Sequence, residues 1–321
     1  PTRRSSDLAW AAPLWDAGRL HLGQSLRAMS HHIASGSHHS RHQWSLMLDT
    51  EDHGPQIAAG FDAVVLATDP RTTRGLLAAL ADADASCVGI TVAPPGVIDY
   101  AQGMLRFAPN LGWRQVPLVA EFAARLGPLA PPVRLENDAK LAALAEFARF
   151  EGTDVVDMLY LTGETGVGAG IIVRDRLFLG AEGFAGEVGH SILQLEGPVC
   201  SCGRKGCAET FIGLRAISTQ IIGHAGDLIP VETIRHLLDR NDEAAALAVR
   251  RAGHYLGVLI QNLWTYFNPG RIVLGGPSCE LGAPFLDAAQ TCLERYSQDC
   301  GLPLPEIQLS RFGSRSVAVG A

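Results

Sequence analysis

The chain has 321 residues, 47% of them hydrophobic and 18% charged, with a formal net charge of -7. That length is ample for one large domain or two lobes. The acidic balance excludes the chain as it stands from binding nucleic-acid backbone, which needs a basic face. No apolar run reaches the roughly 18 residues of a membrane span, and no leader with a basic start and apolar centre is visible, so no membrane partner is expected and the compartment is the cytoplasm.

In chain order, residues 1–8 (PTRRSSDL) read as a translated sequencing adapter and are set aside from the fold. Residues 31–53 hold His31, His32, His38, His39, His42 and His53 without a fixed ligand spacing, and read as a polar hairpin or loop. From residue 61 the pattern becomes regular. Arg74–Ala83 predicts a helix and Cys87–Val92 a short strand ending in the turn Ala93-Pro-Pro-Gly96. Val133–Leu135 predicts a strand. Glu136-Asn-Asp138 then opens a helix through Phe150, with Asn137 or Asp138 able to cap it. Asp157–Leu161 and Ala169–Val173 predict strands around a glycine-rich turn, and Arg176–Leu179 a further strand segment. Ala244–Phe267 predicts a long amphipathic helix stopped by Asn268-Pro-Gly270, followed by a strand over Arg271–Leu274. Ser314–Ala321 reads as the start of an apolar helix that is cut short. Strands mixed with helices make an α/β architecture, with one lobe over residues 9–120 and a second over 121–321.

Three of the seven cysteines crowd together, whereas Cys87, Cys279, Cys292 and Cys300 are scattered and read as ordinary thiols. His190 with Cys200, Cys202 and Cys207 makes a four-ligand set of one imidazole and three thiolates, a closed tetrahedral set that suits structural zinc. A catalytic zinc would keep one position open for water. Gly203 and Gly206 let the backbone fold tightly around such an ion.

The stretch Gly163–Glu209, with AGEVGH at its centre and the CxCGxxGCxE loop at its end, closely resembles the ROK family (repressors, open reading frames and sugar kinases). Ala93–Asp99 is similar to its PG-x-x-D loop, Ala108–Trp113 to its APNLxW segment, Leu135–Ala139 to its ENDA motif, and Val273–Gly276 to its late nucleotide-lobe turn. The resemblance implies a two-lobed sugar-kinase/actin-like fold with ribonuclease H-like lobes and a ligand cleft between them. It implies sugar contacts from Asn137, Asp138, Glu187, His190 and Glu209. Carboxylates and an amide suit a ring of hydroxyls, each both donor and acceptor. His190 can offer one ring nitrogen to the metal and the other to the ligand.

The family holds both catalysts and sugar-sensing repressors. A kinase needs a base for the attacking hydroxyl, which Asp138 could supply, and a cradle for the phosphates of ATP with magnesium. The cradle would fall on Asp16, Gly18, Thr165, Gly166, Gly275 and Gly276. It is degenerate: Arg19 and Leu20 replace a glycine and a threonine, and Glu164 places a negative charge where a glycine usually begins the second turn. The resemblance therefore implies the sugar-sensing, dimerising part of a repressor whose helix-turn-helix is missing, so that DNA is reached only through that absent N-terminal segment. An ATP-dependent sugar kinase with Asp138 as base is the alternative.

Overall fold

A computed structural model describes residues 31–33, 42–44, 89–127, 131–224 and 227–321. Asp16, Gly18, His38, His39, His53, Cys87 and the helix expected over Arg74–Ala83 lie outside the described residues. Within the histidine-rich stretch, β1 (His31–Ile33) and β2 (His42–Trp44) pair antiparallel as the expected hairpin.

The first sheet region is built from short strands. β3 (Ile90–Val92) meets the proline-glycine turn, and β4 (Val97–Asp99), β5 (Met104–Ala108) and β6 (Trp113–Val116) make an antiparallel three-stranded sheet. Helix α1 (Leu118–Leu126) buries Leu118 and Phe122, and β7 (Val133–Leu135) returns to lie parallel to β3. The chain then crosses at Glu136–Asn137 into α2 (Asp138–Phe147), whose amide at Lys140 is capped by the Asn137 side chain. The predicted helix runs on to Phe150 only as a 3-10 turn over Ala148–Phe150.

The second sheet has the order β10-β9-β8-β11-β12, formed by β8 (Met158–Gly163), β9 (Val167–Val173), β10 (Arg176–Leu177), β11 (Arg271–Gly275) and β12 (Ile307–Leu309). β8 and β9 form a hairpin whose turn is Glu164-Thr165-Gly166, and β11 runs parallel to β8 with Gly275 opposite Thr162. Parallel pairing requires a crossover. It is supplied by α3 (Glu209–Ile212), α4 (Leu214–Ile222), α5 (Val231–Asp239) and α6 (Glu243–Phe267). Helix α6 starts on an Asp242 side-chain cap and stops at Asn268, in the left-handed conformation.

Successive side chains of a strand point to opposite faces. Leu159, Leu161 and Ile272 therefore enter the core shared with Leu256, Leu259 and Ile260 of α6 and with Phe285 and Leu293 of α7 (Ala283–Cys300). Met158, Tyr160, Ile172 and Val273 face Ala142 and Ala143 of α2. Burial on both faces explains the uninterrupted apolar run Met158–Leu161, each large side chain contributing about 1.5–3 kcal/mol. Helix α2 is buried nearly all round, since α8 (Ser316–Gly320) closes its far side, where Gly320 approaches the Leu141 backbone. Close approach of α2 to β9 depends on Gly170, where a Cβ would lie 2.2 Å from that of Ala143. No described helix is long and apolar enough to cross a membrane.

Candidate functional site

Three loops and one helix start converge. The first is the crossing at Glu136–Asn137. Asn137 Oδ1 accepts from the Lys140 amide at 3.1 Å, and its Nδ2 donates to the Gly96 carbonyl at 3.2 Å. This amide thus ties the start of α2 to the proline-glycine turn. Asp138 follows on the first turn of α2, with Oδ1 accepting from the Ala139 amide at 2.8 Å. The half-buried Asp138 carboxyl is pushed up to about 7, first by burial and then by the neighbouring Glu164 and Glu187 carboxylates, against the pull of that amide.

The second is the loop between β10 and the 3-10 turn Val188–His190. Glu187 opens that turn, and its carbonyl accepts from the His190 amide at 3.1 Å. Burial raises the Glu187 carboxyl, His190 and Lys140 lower it, and Glu209 raises it. Asp138, Glu187, His190 and Glu209 therefore occupy one electrostatic neighbourhood.

The third is the cysteine loop, Cys200–Cys207. The ligand atoms of His190, Cys200, Cys202 and Cys207 all lie within 4.8 Å of one another. Nδ1 of His190 is 3.6 Å from Sγ of Cys200, and Sγ of Cys202 is 3.7 Å from Sγ of Cys207. A tetrahedral zinc with ordinary Zn–N and Zn–S bonds has edges of about 3.6 Å between nitrogen and sulfur and about 3.8 Å between sulfurs. The donor set and its size fit a closed four-ligand site. The loop is held by isolated bridges, Ile192 with Cys207 and Val199 with Lys205, and by the Cys200 amide donating to the Arg204 carbonyl at 2.7 Å.

Glu209 begins α3 two residues after Cys207, the last cysteine of the loop. Its Oε1 accepts from Ser201 Oγ at 3.1 Å and from Cys200 Sγ at 2.8 Å. Ser201 Oγ also lies 3.4 Å from Asn110 Oδ1, which brings the Ala108–Trp113 segment to the same place. The Glu164–Gly166 turn packs here too, since a Cβ on Gly166 would lie 2.7 Å from Glu209 Oε2. Thr162 and Gly163, at the end of β8, stand beside Gly275 and Gly276 at the end of the parallel β11, and Thr165 and Gly166 follow in the β8–β9 turn. That carboxyl edge of parallel strands is where open α/β sheets take ligands.

Asp99, within the proline-glycine segment, has a structural task. It accepts from Arg106 Nη2 at 2.9 Å and from the Gln102 amide at 3.1 Å, closing the β4–β5 turn, while Arg106 also reaches Glu182 at 3.1 Å. Sequence reasoning missed Lys140. It is only 3% exposed, and its Nζ donates to the Gly183 carbonyl at 2.7 Å and approaches the Tyr100 hydroxyl at 3.4 Å. Nothing in a lysine on a helix announces burial.

Comparison with known proteins places the chain in a family. The chain is 31% identical over 264 residues to the xylose repressor of Caldicellulosiruptor bescii, an alignment covering 78% of this chain and 63% of the repressor. It is 30% identical over 248 residues to a glucokinase of Halalkalibacterium halodurans, covering 73% of this chain and 74% of that enzyme. It therefore spans less than two thirds of the repressor's length. A ROK family glucokinase from Streptomyces griseus, solved with glucose and AMPPNP, superposes with a TM-score of 0.65 at 26% identity, covering 79% of this chain and 87% of that one. Residues 71–321 match the ROK family. The chain belongs to that family and has its sugar-kinase/actin-like ATPase fold.

Proposed function

We propose that this chain is the sugar-binding and dimerising part of a cytoplasmic ROK-type transcriptional regulator, with a structural zinc on His190, Cys200, Cys202 and Cys207. The observation that carries the regulator reading is Glu164. Its place in the β8–β9 turn, close enough to Asp138 to raise that carboxyl, puts a negative charge where the phosphates of a nucleotide would have to approach backbone amides. Asn137, Asp138, Glu187, His190 and Glu209 then bind a sugar's hydroxyls. With Nδ1 of His190 on the metal side, Nε2 is left for the ligand. Zinc supplies no chemistry in this reading; it braces the pocket wall. The effector shifts the equilibrium between lobe arrangements in a homodimer, and operator DNA is met by a helix-turn-helix ahead of these residues.

The second reading is an ATP-dependent sugar kinase, and Asp138 favours it. A carboxyl poised at about 7 suits a general base working near neutral pH. Asp138 would take the hydroxyl proton as the sugar oxygen attacks the terminal phosphate, with Thr165, Gly166, Gly275 and Gly276 nearest the nucleotide. ATP with magnesium would supply the phosphoryl group.

Coupled detection of ADP release with glucose, xylose, mannose and N-acetylglucosamine separates the two readings. The regulator reading expects binding of a sugar without turnover. Turnover above background that vanishes in Asp138→Asn would replace it with the kinase reading.

A further inference from the structure

Lysine is seldom buried unless it is paired with a carboxylate, because the ammonium loses its hydration. Lys140 is 3% exposed, yet among the described residues no carboxylate lies within ion-pair distance of it. Its partners are the Gly183 carbonyl at 2.7 Å, the Tyr100 hydroxyl at 3.4 Å and the Tyr100 ring face at 5.7 Å. A methionine would fill the same volume on α2 without that cost, so stability alone does not account for the charge.

The position does account for it. Lys140 sits half a turn after Asp138 on α2. The Nζ end grips Gly183, and Cε lies 3.8 Å from where a Cβ on Gly186 would be. One side chain thus spans the loop from Gly183 to Gly186, and the next residue is Glu187. Tyr100 adds a second tie, since its hydroxyl also donates to Glu136 Oε1 at the crossing into α2.

We infer that Lys140 is a positioning residue of the sugar site: its ammonium holds the Gly183–Gly186 loop so that Glu187 faces the same ligand as Asp138. The inference rests on the reading that Asp138 and Glu187 contact a sugar. The charged and titratable groups facing the ammonium are Glu136 ahead of α2, Glu187 in the following loop, and Tyr100 from the β4–β5 turn. Burial lowers the Lys140 ammonium below the ordinary lysine value, with Glu136 and Glu187 opposing, and burial raises the Tyr100 phenol, so Lys140 loses its proton first on alkalinisation.

The test is calorimetric titration of the whole chain with D-glucose and D-xylose, for the native protein, Lys140→Met, Lys140→Arg and Glu187→Gln, with melting temperatures alongside. Lys140→Met is expected to weaken binding about tenfold without lowering the melting temperature, the loss expected for one charge-assisted hydrogen bond, and Lys140→Arg to recover part of it. Between about pH 8.5 and 10, above the titration of Asp138, native affinity should fall more steeply than that of Lys140→Met. Native-like affinity in Lys140→Met, or the same pH profile in both proteins, would overturn the inference. Should Lys140→Met not fold, a level native profile over that range overturns it alone. Unchanged affinity in Glu187→Gln, or no binding of either sugar by the native chain, would instead remove the sugar site itself and this inference with it.

Discussion

Oε1 of Glu209 stands 2.8 Å from Sγ of Cys200 and 3.8 Å from Nδ1 of His190. The carboxylate expected to meet a sugar therefore touches two residues of the proposed metal-ligand set. A cysteine thiol can donate a hydrogen bond to it, whereas a metal-bound thiolate has no proton to give and repels it. Metal binding would turn Glu209 away from the sulfur, towards Ser201 and a ligand hydroxyl.

Removing the metal should consequently cost both stability and recognition. Cys202→Ser, or the native chain stripped by a chelator, is expected to carry well under one zinc per molecule by elemental analysis. Its melting temperature should drop by about 5 °C or more, because metal binding free energy is folding free energy. Sugar affinity should fall in parallel. If stripped protein binds glucose or xylose as tightly as loaded protein, the coupling through Glu209 and His190 is wrong.

The cysteine loop also depends on one backbone position. Gly206 has a φ of +70°, and a Cβ there would lie 1.6 Å from the Gln194 carbonyl oxygen. The Gly206 carbonyl in turn accepts from the Leu193 amide at 2.8 Å, so the clash cannot be relieved by swinging the residue outward. Gly206→Ala should destabilise the fold by about 2 kcal/mol or more in urea denaturation and loosen metal binding. Native stability in this variant would show that the loop has another accessible shape.

What was legible in the sequence was local. The metal set is four residues within one short stretch. The helix start at Asn137 is a cap made by a residue three positions from the amide it serves, and the β8–β9 hairpin closes over three residues. The parallel pairing of β3 with β7 joins segments about forty residues apart, and nothing in either strand names its partner. Strands β4 to β6 are too short to show a period. Helix α7, Ala283–Cys300, went unpredicted because it buries only Phe285, Ala289 and Leu293. Lys140 was illegible for the opposite reason: α2 is covered on both sides, so a charged residue on it has no solvent face to occupy.

Asp138 makes stability depend on pH in a definite direction. Its folded value of about 7 lies above the unfolded value of about 3.9. Between these the folded state holds a proton that the unfolded state has released, so stability is full below about pH 4 and declines as pH rises to about 7. Asp138→Asn should remove that decline and gain about 1–3 kcal/mol over the native chain at pH 8, with little gain at pH 4. Urea midpoints at the two pH values measure it, and an equal pH dependence in both proteins would place the titration elsewhere.

Glu164 gives the sharpest test of why this chain would sense sugar without phosphorylating it. The residue sits in the turn between β8 and β9, beside Thr165 and Gly166, and its charge is felt at Asp138. Several negative oxygens of a nucleotide brought to that turn would meet a carboxylate at short range, at a cost of a few kcal/mol at an intermediate dielectric, about 2 or more. Glu164→Gly removes the charge, so affinity for a non-hydrolysable ATP analogue with magnesium should rise about tenfold or more. Gly163 and Gly166 flank the position, so the turn itself should survive the change. Sugar affinity should hold at pH 8, where Asp138 is largely ionised with or without Glu164, because Glu164 is not among the groups proposed to meet the hydroxyls. Equal nucleotide affinity in the native and variant chains would mean that Glu164 is not what bars the phosphates, and the distinction between sensor and kinase would have to be sought elsewhere in the cleft.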